Sequence, residues 1–326
     1  MTRLSRRGFL TLLASTVLIK NLHANSKTNK TGLVIDERFS KHIISEAHPE
    51  SPARYHAIMQ QLAAHNLHNQ LTLIQPKVDI ESWLSKVHST EHISAIKAKQ
   101  PDTHLHAVLA TGGVLAAIDA VCTSNIENVF CASRPPGHHA LNTGQEEGFC
   151  YYNHIAVGAR YAQQKYKLKK ILIIDWDYHH GNGTEWAFYS DPSVLYFSTH
   201  DRFAYPGTGN PERIGEGEGK GFNINVHLAC GASDNDIITA FRDKLLPAAE
   251  AFSPDLILIS AGFDSRQDDL LGCHSISDQG FKQLTSMVKS LAERHCDGKI
   301  VSVLEGGYNI EGNASAVVAH ITALMA

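Results

Sequence analysis

Five short apolar runs punctuate this chain, and each ends on residues that can do chemistry. They lie at Asn128–Ser133, Ile171–Asp175, Val194–Ser198, Leu256–Ser260 and Ile300–Leu304. Runs so short and so uniformly apolar read as strands buried on both faces, as in a parallel sheet. Helical patterns lie before and between them, over Ser51–His65, Ala107–Cys122, His154–Lys165, Asp234–Phe252 and Asp278–Arg294. This order of strand, polar strand end and helix predicts an α/β fold of three layers, α/β/α, with a mainly parallel central sheet. From Leu33 onward no Pro/Ser-rich break, internal repeat or low-complexity run divides the chain, so residues 33–326 are expected to form one domain.

The strand ends carry the information about function. The first run is followed by Arg134-Pro135-Pro136-Gly137-His138-His139, the second by Trp176-Asp177-Tyr178-His179-His180-Gly181-Asn182-Gly183, and the third by Thr199-His200-Asp201. After the fourth comes Ala261-Gly262-Phe263-Asp264, and after the fifth Glu305-Gly306-Gly307-Tyr308. Open α/β sheets bind ligands beyond the carboxyl ends of their strands, so five such ends predict one shared site. Alternate residues of a strand face the same way, which would project Asp175, Asp177 and His179 together. Unpaired carboxylates are rarely buried, so this grouping predicts a metal site rather than packed core. Twenty histidines give about one His-His pair by chance, and the weight of His138-His139 comes from the rigid Pro-Pro-Gly turn before it.

Charge and composition narrow the field. The chain has 326 residues and a formal net charge of −4. Its first 24 residues hold Arg3, Arg6, Arg7 and Lys20 and no acid, which leaves the rest with 25 basic against 33 acidic residues. That balance excludes the basic footprint of a nucleic-acid binder and suits a cationic substrate better. Arg6-Arg7-Gly8-Phe9-Leu10 and the apolar stretch to Ile19 resemble a twin-arginine export signal; the stretch is too short to span a bilayer. Residues 1–24 are therefore expected to direct the chain to the periplasm, with 25–32 as a linker and no transmembrane domain. The six cysteines show no CxxC spacing, which excludes zinc-finger and thioredoxin readings and assigns no disulfide pair.

Six motifs appear in a fixed order: the His138-His139 turn, Gly148-Phe149-Cys150-Tyr151-Tyr152-Asn153, Asp175 to Gly183, Tyr205-Pro206-Gly207-Thr208-Gly209, Ala261 to Asp264, and Leu304-Glu305-Gly306-Gly307-Tyr308-Asn309. Together with His48-Pro49-Glu50-Ser51-Pro52-Ala53-Arg54 they closely resemble the zinc-dependent histone deacetylase family. The Leu-Glu-Gly-Gly-Tyr form and Asn182 are more similar to its class II and bacterial acetylpolyamine amidohydrolase branch. The resemblance runs from about residue 33 to the end and implies an arginase–deacetylase fold. It implies one zinc held by Asp177, His179 and Asp264, leaving an open position for water and a substrate carbonyl. His138 and His139 would share the general base and general acid roles, with the sequence leaving open which is the main base; Asp175 would orient His138, and Tyr308 would donate to the developing oxyanion. Gly306-Gly307 would let the tyrosine loop move inward. Asn182 stands where class I members place an aspartate beside the second histidine. Gly148, Phe149, Tyr205 and Leu271 match the substrate tunnel, and Ser198 and Thr199, with Asp175, Asp177 and His179, match a site for structural potassium.

The expected reaction is hydrolysis of a small acylated amine or an acetyl-lysine peptide, with homo-oligomerisation left open. Two other readings stand beside it: a binuclear manganese amidinohydrolase of the same fold, and a non-catalytic binder of cationic ligands. Leu270 and His227 replace residues that are usually proline in relatives and lie in loops near the site. Gly215 to Gly221 lacks phosphate-loop spacing and is expected to be a flexible loop. Thr111-Gly112-Gly113 is expected to open an apolar helix and to mark a tight contact, and His65, His68, His104 and His106 to lie on the surface. Asp102 matches, loosely, a rim residue that grips the substrate backbone.

Overall fold

The computed structural model describes residues 30–326; the expected export signal at 1–24 and most of the expected linker at 25–32 lie outside the described residues. Eight strands form the centre: β1 (Thr31–Val34), β2 (Thr72–Ile74), β3 (Asn128–Cys131), β4 (Ile171–Asp175), β5 (Val194–Asp201), β6 (Asn223–Leu228), β7 (Leu256–Ala261) and β8 (Ile300–Leu304). They make one sheet in the order β2-β1-β3-β8-β7-β4-β5-β6. Every pairing is parallel. All five expected strands are present, and β1, β2 and β6 extend the sheet at its two sides.

Alternation along the strands shows which helix covers which face. Phe130 and Ser302 are in register, and both meet His320 on the helix Ile310–Met325. Val34, in register with Cys131, instead lies beneath Gly113 of the helix Pro101–Thr123. Neighbouring strand residues face opposite ways, so these two helices occupy opposite faces. Ile310–Met325 packs with Pro52–Ala64 and Asp278–His295 on the first face, and Pro101–Thr123 packs with His154–Tyr166 on the second. Pro101–Thr123 is long and apolar enough to cross a membrane, yet 72% of its apolar window is buried, which makes it a core helix.

Several expectations need correction. Thr111-Gly112-Gly113 lies in the middle of Pro101–Thr123, not at its start. The chain passes so close there that a Cβ at Gly112 would stand 1.9 Å from the Lys77 carbonyl oxygen. Asp234–Phe252 is helical throughout but holds a π turn at Phe241–Leu245. Pro247 has no N–H to give the carbonyl four residues back, and a wider turn accommodates that loss. His104 is buried, with Nδ1 2.7 Å from the Tyr152 hydroxyl. Gly215 to Gly221 is a loop as expected, with a short 3-10 turn at Gly217–Gly219.

One buried ion network joins the amino-terminal segment to the strand ends. Glu50 accepts from Arg134 Nε (2.5 Å) and Nη2 (2.6 Å) and from Arg54 Nη1 (3.2 Å). Burial pushes the Glu50 carboxyl up, but the Arg134 and Arg54 charges outweigh it and hold the group below the usual range. Arg54 also donates to the carbonyls of Gly307 (2.6 Å) and Glu305 (2.5 Å). Removing one partner from so dry a network typically costs about 3–5 kcal/mol. The His48-to-Arg54 motif thus acts as a brace behind the last strand end.

Candidate active site

β3, β8, β7 and β4 are consecutive in the sheet, so the loops leaving their carboxyl ends meet. The chain leaves extended geometry after Asp175, and the three residues expected to share a face divide between two tasks. Asp175 Oδ2 lies 3.1 Å from His138 Nδ1 and 3.1 Å from the Tyr196 hydroxyl. Asp177 and His179 turn instead toward Asp264. His179 Nδ1 is 2.9 Å from Asp264 Oδ2 and 3.2 Å from Asp177 Oδ1. One ligand atom from each of Asp177, His179 and Asp264 falls within 4.8 Å of the others.

The electrostatics of this trio are those of a cation site. Both carboxylates are fully buried. Burial raises Asp264, and the Asp177 charge raises it further. Asp177 is held low: the His138 and His179 charges outweigh the effect of its burial. The two carboxylates pull His179 up to about 10 against its own desolvation. Backbone N–H groups complete the shell: Tyr178 donates to Asp264 Oδ1 (2.8 Å), His179 to Asp177 Oδ1 (2.8 Å) and Gly306 to Asp177 Oδ2 (2.8 Å).

His138 and His139 lie side by side next to the trio, their rings tilted at 43° with centroids 4.0 Å apart. His138 Nε2 is 3.8 Å from Asp177 Oδ1, and His139 Nδ1 is 2.8 Å from Asn182 Oδ1. The two imidazoles are driven in opposite directions. Desolvation opposes the charge on His138, but Asp177, Asp175 and Glu305 outweigh it and raise the group. Desolvation and the His138 and His179 charges lower His139. Glu305 is a residue whose part the sequence did not reveal. Its Oε2 accepts from the N–H groups of Gly137 (2.7 Å) and His138 (3.2 Å), which holds the tandem-histidine turn against the end of β8. Burial pushes Glu305 up to about 7.

Tyr308 is buried with its ring 5.9 Å from Phe149, and the Arg54 guanidinium lies 5.0 Å from its ring centroid. The adjoining glycines allow close approach of the chain. A Cβ at Gly306 would stand 2.0 Å from Asp264 Oδ2. Gly307 has φ +118°, and its Cβ would stand 2.3 Å from Asn313 Oδ1. Hydrogen bonds from Phe263 and Arg54 to the loop carbonyls tie this segment down.

The residues expected to line a substrate tunnel lie beside the same site. Tyr205 meets His139 edge-on at 4.9 Å, and a Cβ at Gly148 would stand 2.3 Å from His139 Cδ2. Phe149 adopts φ +68° and meets His48 at 4.4 Å. Leu271 shares a cleft of about 270 Å³ with Tyr205, His179, Tyr178, Cys230 and Cys273. Cys230 and Cys273 are joined in a disulfide with Cα atoms 5.1 Å apart. Ser198 pairs in register with Asp175, and Thr199 Oγ1 is buried without a hydrogen-bond partner. Leu270 is exposed on the rim loop, and the His227 ring lies 5.3 Å from His200. Asp102 does not join the site: it lines a separate cavity with Arg38, Val78, Leu105 and His106.

Comparison with known proteins places the chain in a family. Residues 48–324 match the family model of the histone deacetylase domain. A probable deacetylase of Archaeoglobus fulgidus is 36% identical over 298 residues, covering 86% of this chain and 82% of that protein. Histone deacetylase 15 of Arabidopsis thaliana is 37% identical over 325 residues, covering 93% of this chain but only 58% of that protein. The crystal structure of the HDA15 HD domain superposes with a TM-score of 0.85 at 36% identity, covering 91% of this chain and 88% of that one.

Proposed function

The chain belongs to the histone deacetylase family, and from that premise we propose that it hydrolyses the amide bond of an acylated primary amine with one zinc ion held by Asp177, His179 and Asp264. The observation that carries this reading is the convergence of that trio with the His138–His139 pair and Tyr308 in one buried place. The donor set fits the metal. One nitrogen and two carboxylates are the ligands of catalytic rather than structural zinc. The His179 Nδ1 atom lies within hydrogen-bond distance of both carboxylates, so the three donor atoms converge as a bound cation requires. Zinc bound there supplies Lewis acidity, bringing the pKa of a water to about 7 and polarising the substrate carbonyl.

The remaining work falls to this chain's own side chains. His139 donates Nδ1–H to Asn182 and is kept neutral, so Nε2 is free to take a proton from the attacking water. His138, tied to Asp175, is placed to return a proton to the departing amine. Tyr308 donates its hydroxyl to the carbonyl oxygen as charge builds there. Phe149 and Tyr205 enclose the aliphatic stem of the amine, and Gly148 and Leu271 complete the walls. Acetyl-lysine peptides and acetylpolyamines are the substrate classes proposed.

Asn182→Asp tests the acid–base assignment. An amide stabilises the imidazolium of His139 only weakly, whereas a carboxylate raises it. The limb of the pH–rate profile set by His139 should therefore move to higher pH in the variant. Superimposable profiles would remove His139 from proton transfer.

A structural potassium ion held by Asp175, Asp177, His179, Ser198 and Thr199 belongs to the same proposal, and the unpartnered Thr199 hydroxyl supports it. A periplasmic location, reached by twin-arginine export, is also proposed; the Cys230–Cys273 disulfide supports an oxidising compartment. The binuclear manganese reading finds little support. The second group of potential ligands among the described residues, His138, Cys150 and Glu305, includes a thiol, which suits softer metals.

The deciding assay loads the purified chain with zinc and offers acetyl-lysine peptides, acetylpolyamines and longer acyl amides. Release of acid and amine in equal amounts, lost on chelation and restored by zinc, is expected. Zero turnover on all of them with zinc bound would leave only a binder of cationic ligands.

A further inference from the structure

One carboxylate joins the loop that carries Asp264 to the loop that carries Tyr308. Asp269 Oδ2 accepts from the backbone N–H groups of Tyr308 (2.7 Å) and Asn309 (3.0 Å). Its other oxygen accepts from the N–H of Leu271 at 2.9 Å. Asn309 answers from the opposite side, donating Nδ2 to the carbonyl of Asp268 at 2.9 Å. Asp268 itself takes φ +63°, a conformation few non-glycine residues adopt, and the bend carries the next residue inward.

We propose that Asp269 is a positioning residue for the deacetylation: it sets where Tyr308 stands over the metal trio and where Leu271 stands in the tunnel wall. The chemistry suits that task. Hydrogen bonds to an ionised acceptor are roughly twice as strong as neutral ones. Tyr308 and Asn309 immediately precede the helix Ile310–Met325, where free N–H groups and the helix dipole favour an anion. Tyr308 is otherwise held from the glycine side, through Gly306 N–H to Asp177 and Gly307 O to Arg54. Asp269 fixes the far side, so the tyrosine is gripped between a metal-trio carboxylate and the rim loop. A tyrosine donor misplaced by about 1 Å loses on the order of 10²-fold in rate, which is the scale at stake here.

The inference rests on the oxyanion role proposed for Tyr308, and the experiment separates the two. Asp269→Ala is measured alone and in the Tyr308→Phe background, with zinc content checked in each protein. Alone, it should lower kcat by roughly 10–100-fold and change KM by less than about threefold. In the Tyr308→Phe background the same change should cost less than about twofold, because the hydroxyl it positions is already gone. Asp269→Asn, which keeps one acceptor oxygen, should fall between, and it carries the test where the alanine variant does not fold. Hydrogen exchange across residues 305–310 should quicken in the Asp269 variants whatever the substrate. Full kcat in Asp269→Ala, equal fractional losses in both backgrounds, or unchanged exchange would each overturn the positioning role. Full activity in Tyr308→Phe alone would instead remove the oxyanion role on which the inference stands.

Discussion

Asp264→Asn is expected to leave the chain folded while stripping it of zinc and of turnover. Loss of a partner one shell further out costs about 10–100-fold in affinity or activity at metal sites, so loss of a charged ligand should exceed about 10³-fold in kcat/KM. The physical reason lies in the charge balance of the trio. Two buried carboxylates and one imidazole can neutralise a dication, whereas one carboxylate and an amide cannot. Stability should move the other way in the metal-free protein. Asp264 is raised in the folded state, chiefly by burial and then by Asp177, so the native chain holds that proton more tightly than the unfolded chain does. Such a group makes folding less favourable as pH climbs above the unfolded carboxyl range. At pH 8 the metal-free Asn variant should therefore melt no lower than metal-free wild type, while added zinc should raise the melting temperature of wild type alone. Elemental analysis, turnover and thermal melts read these three consequences separately. A variant that still binds one zinc per chain with normal affinity would remove Asp264 from the ligand set.

The parts of this architecture that could be read in advance are those whose burial is symmetrical. β4, β7 and β8 are buried along their whole length, and their Ile, Leu and Val runs announce them. β2 is three half-exposed residues at one edge, and β6 at the other edge mixes asparagine and histidine with its apolar positions. Neither pattern separates a strand from a loop. Ile310–Met325 was missed for the opposite reason. It is buried on most of its circumference, between Pro52–Ala64 and Asp278–His295, so no polar stripe marks its period. The same distinction runs through the site. Residues whose chemistry is intrinsic, such as the tandem histidines and Asp264, stood out in their motifs. Glu305 and Asp269 act by accepting from particular backbone N–H groups, which for Glu305 lie 167 and 168 positions away in the chain. Only the folded chain brings those groups together. The close fit required of Gly306 was equally hidden, because the carboxylates it makes room for belong to other strand ends.

Tyr308→Phe should cost about 10²–10³-fold in kcat, the usual loss when one oxyanion donor is removed, or about 2.7–4 kcal/mol of transition-state stabilisation. The substitution deletes one oxygen and keeps the ring, so the packing against Phe149 and the Arg54 guanidinium is preserved. KM should accordingly change little, since the hydroxyl is worth most when charge has built on the carbonyl oxygen and least in the ground state. The surroundings of this hydroxyl sharpen the expectation. Burial and the nearby Asp264 and Asp177 charges hold the phenol well above its usual range. It therefore stays protonated across the working pH span and acts as a donor throughout, so the loss in Tyr308→Phe should be the same at every pH tested. A loss that grows or shrinks across the profile would mean the hydroxyl takes part in proton transfer. A raised KM with unchanged kcat would mean it only binds substrate. Either outcome would leave the negative charge on the carbonyl oxygen to be stabilised by the other groups of the site.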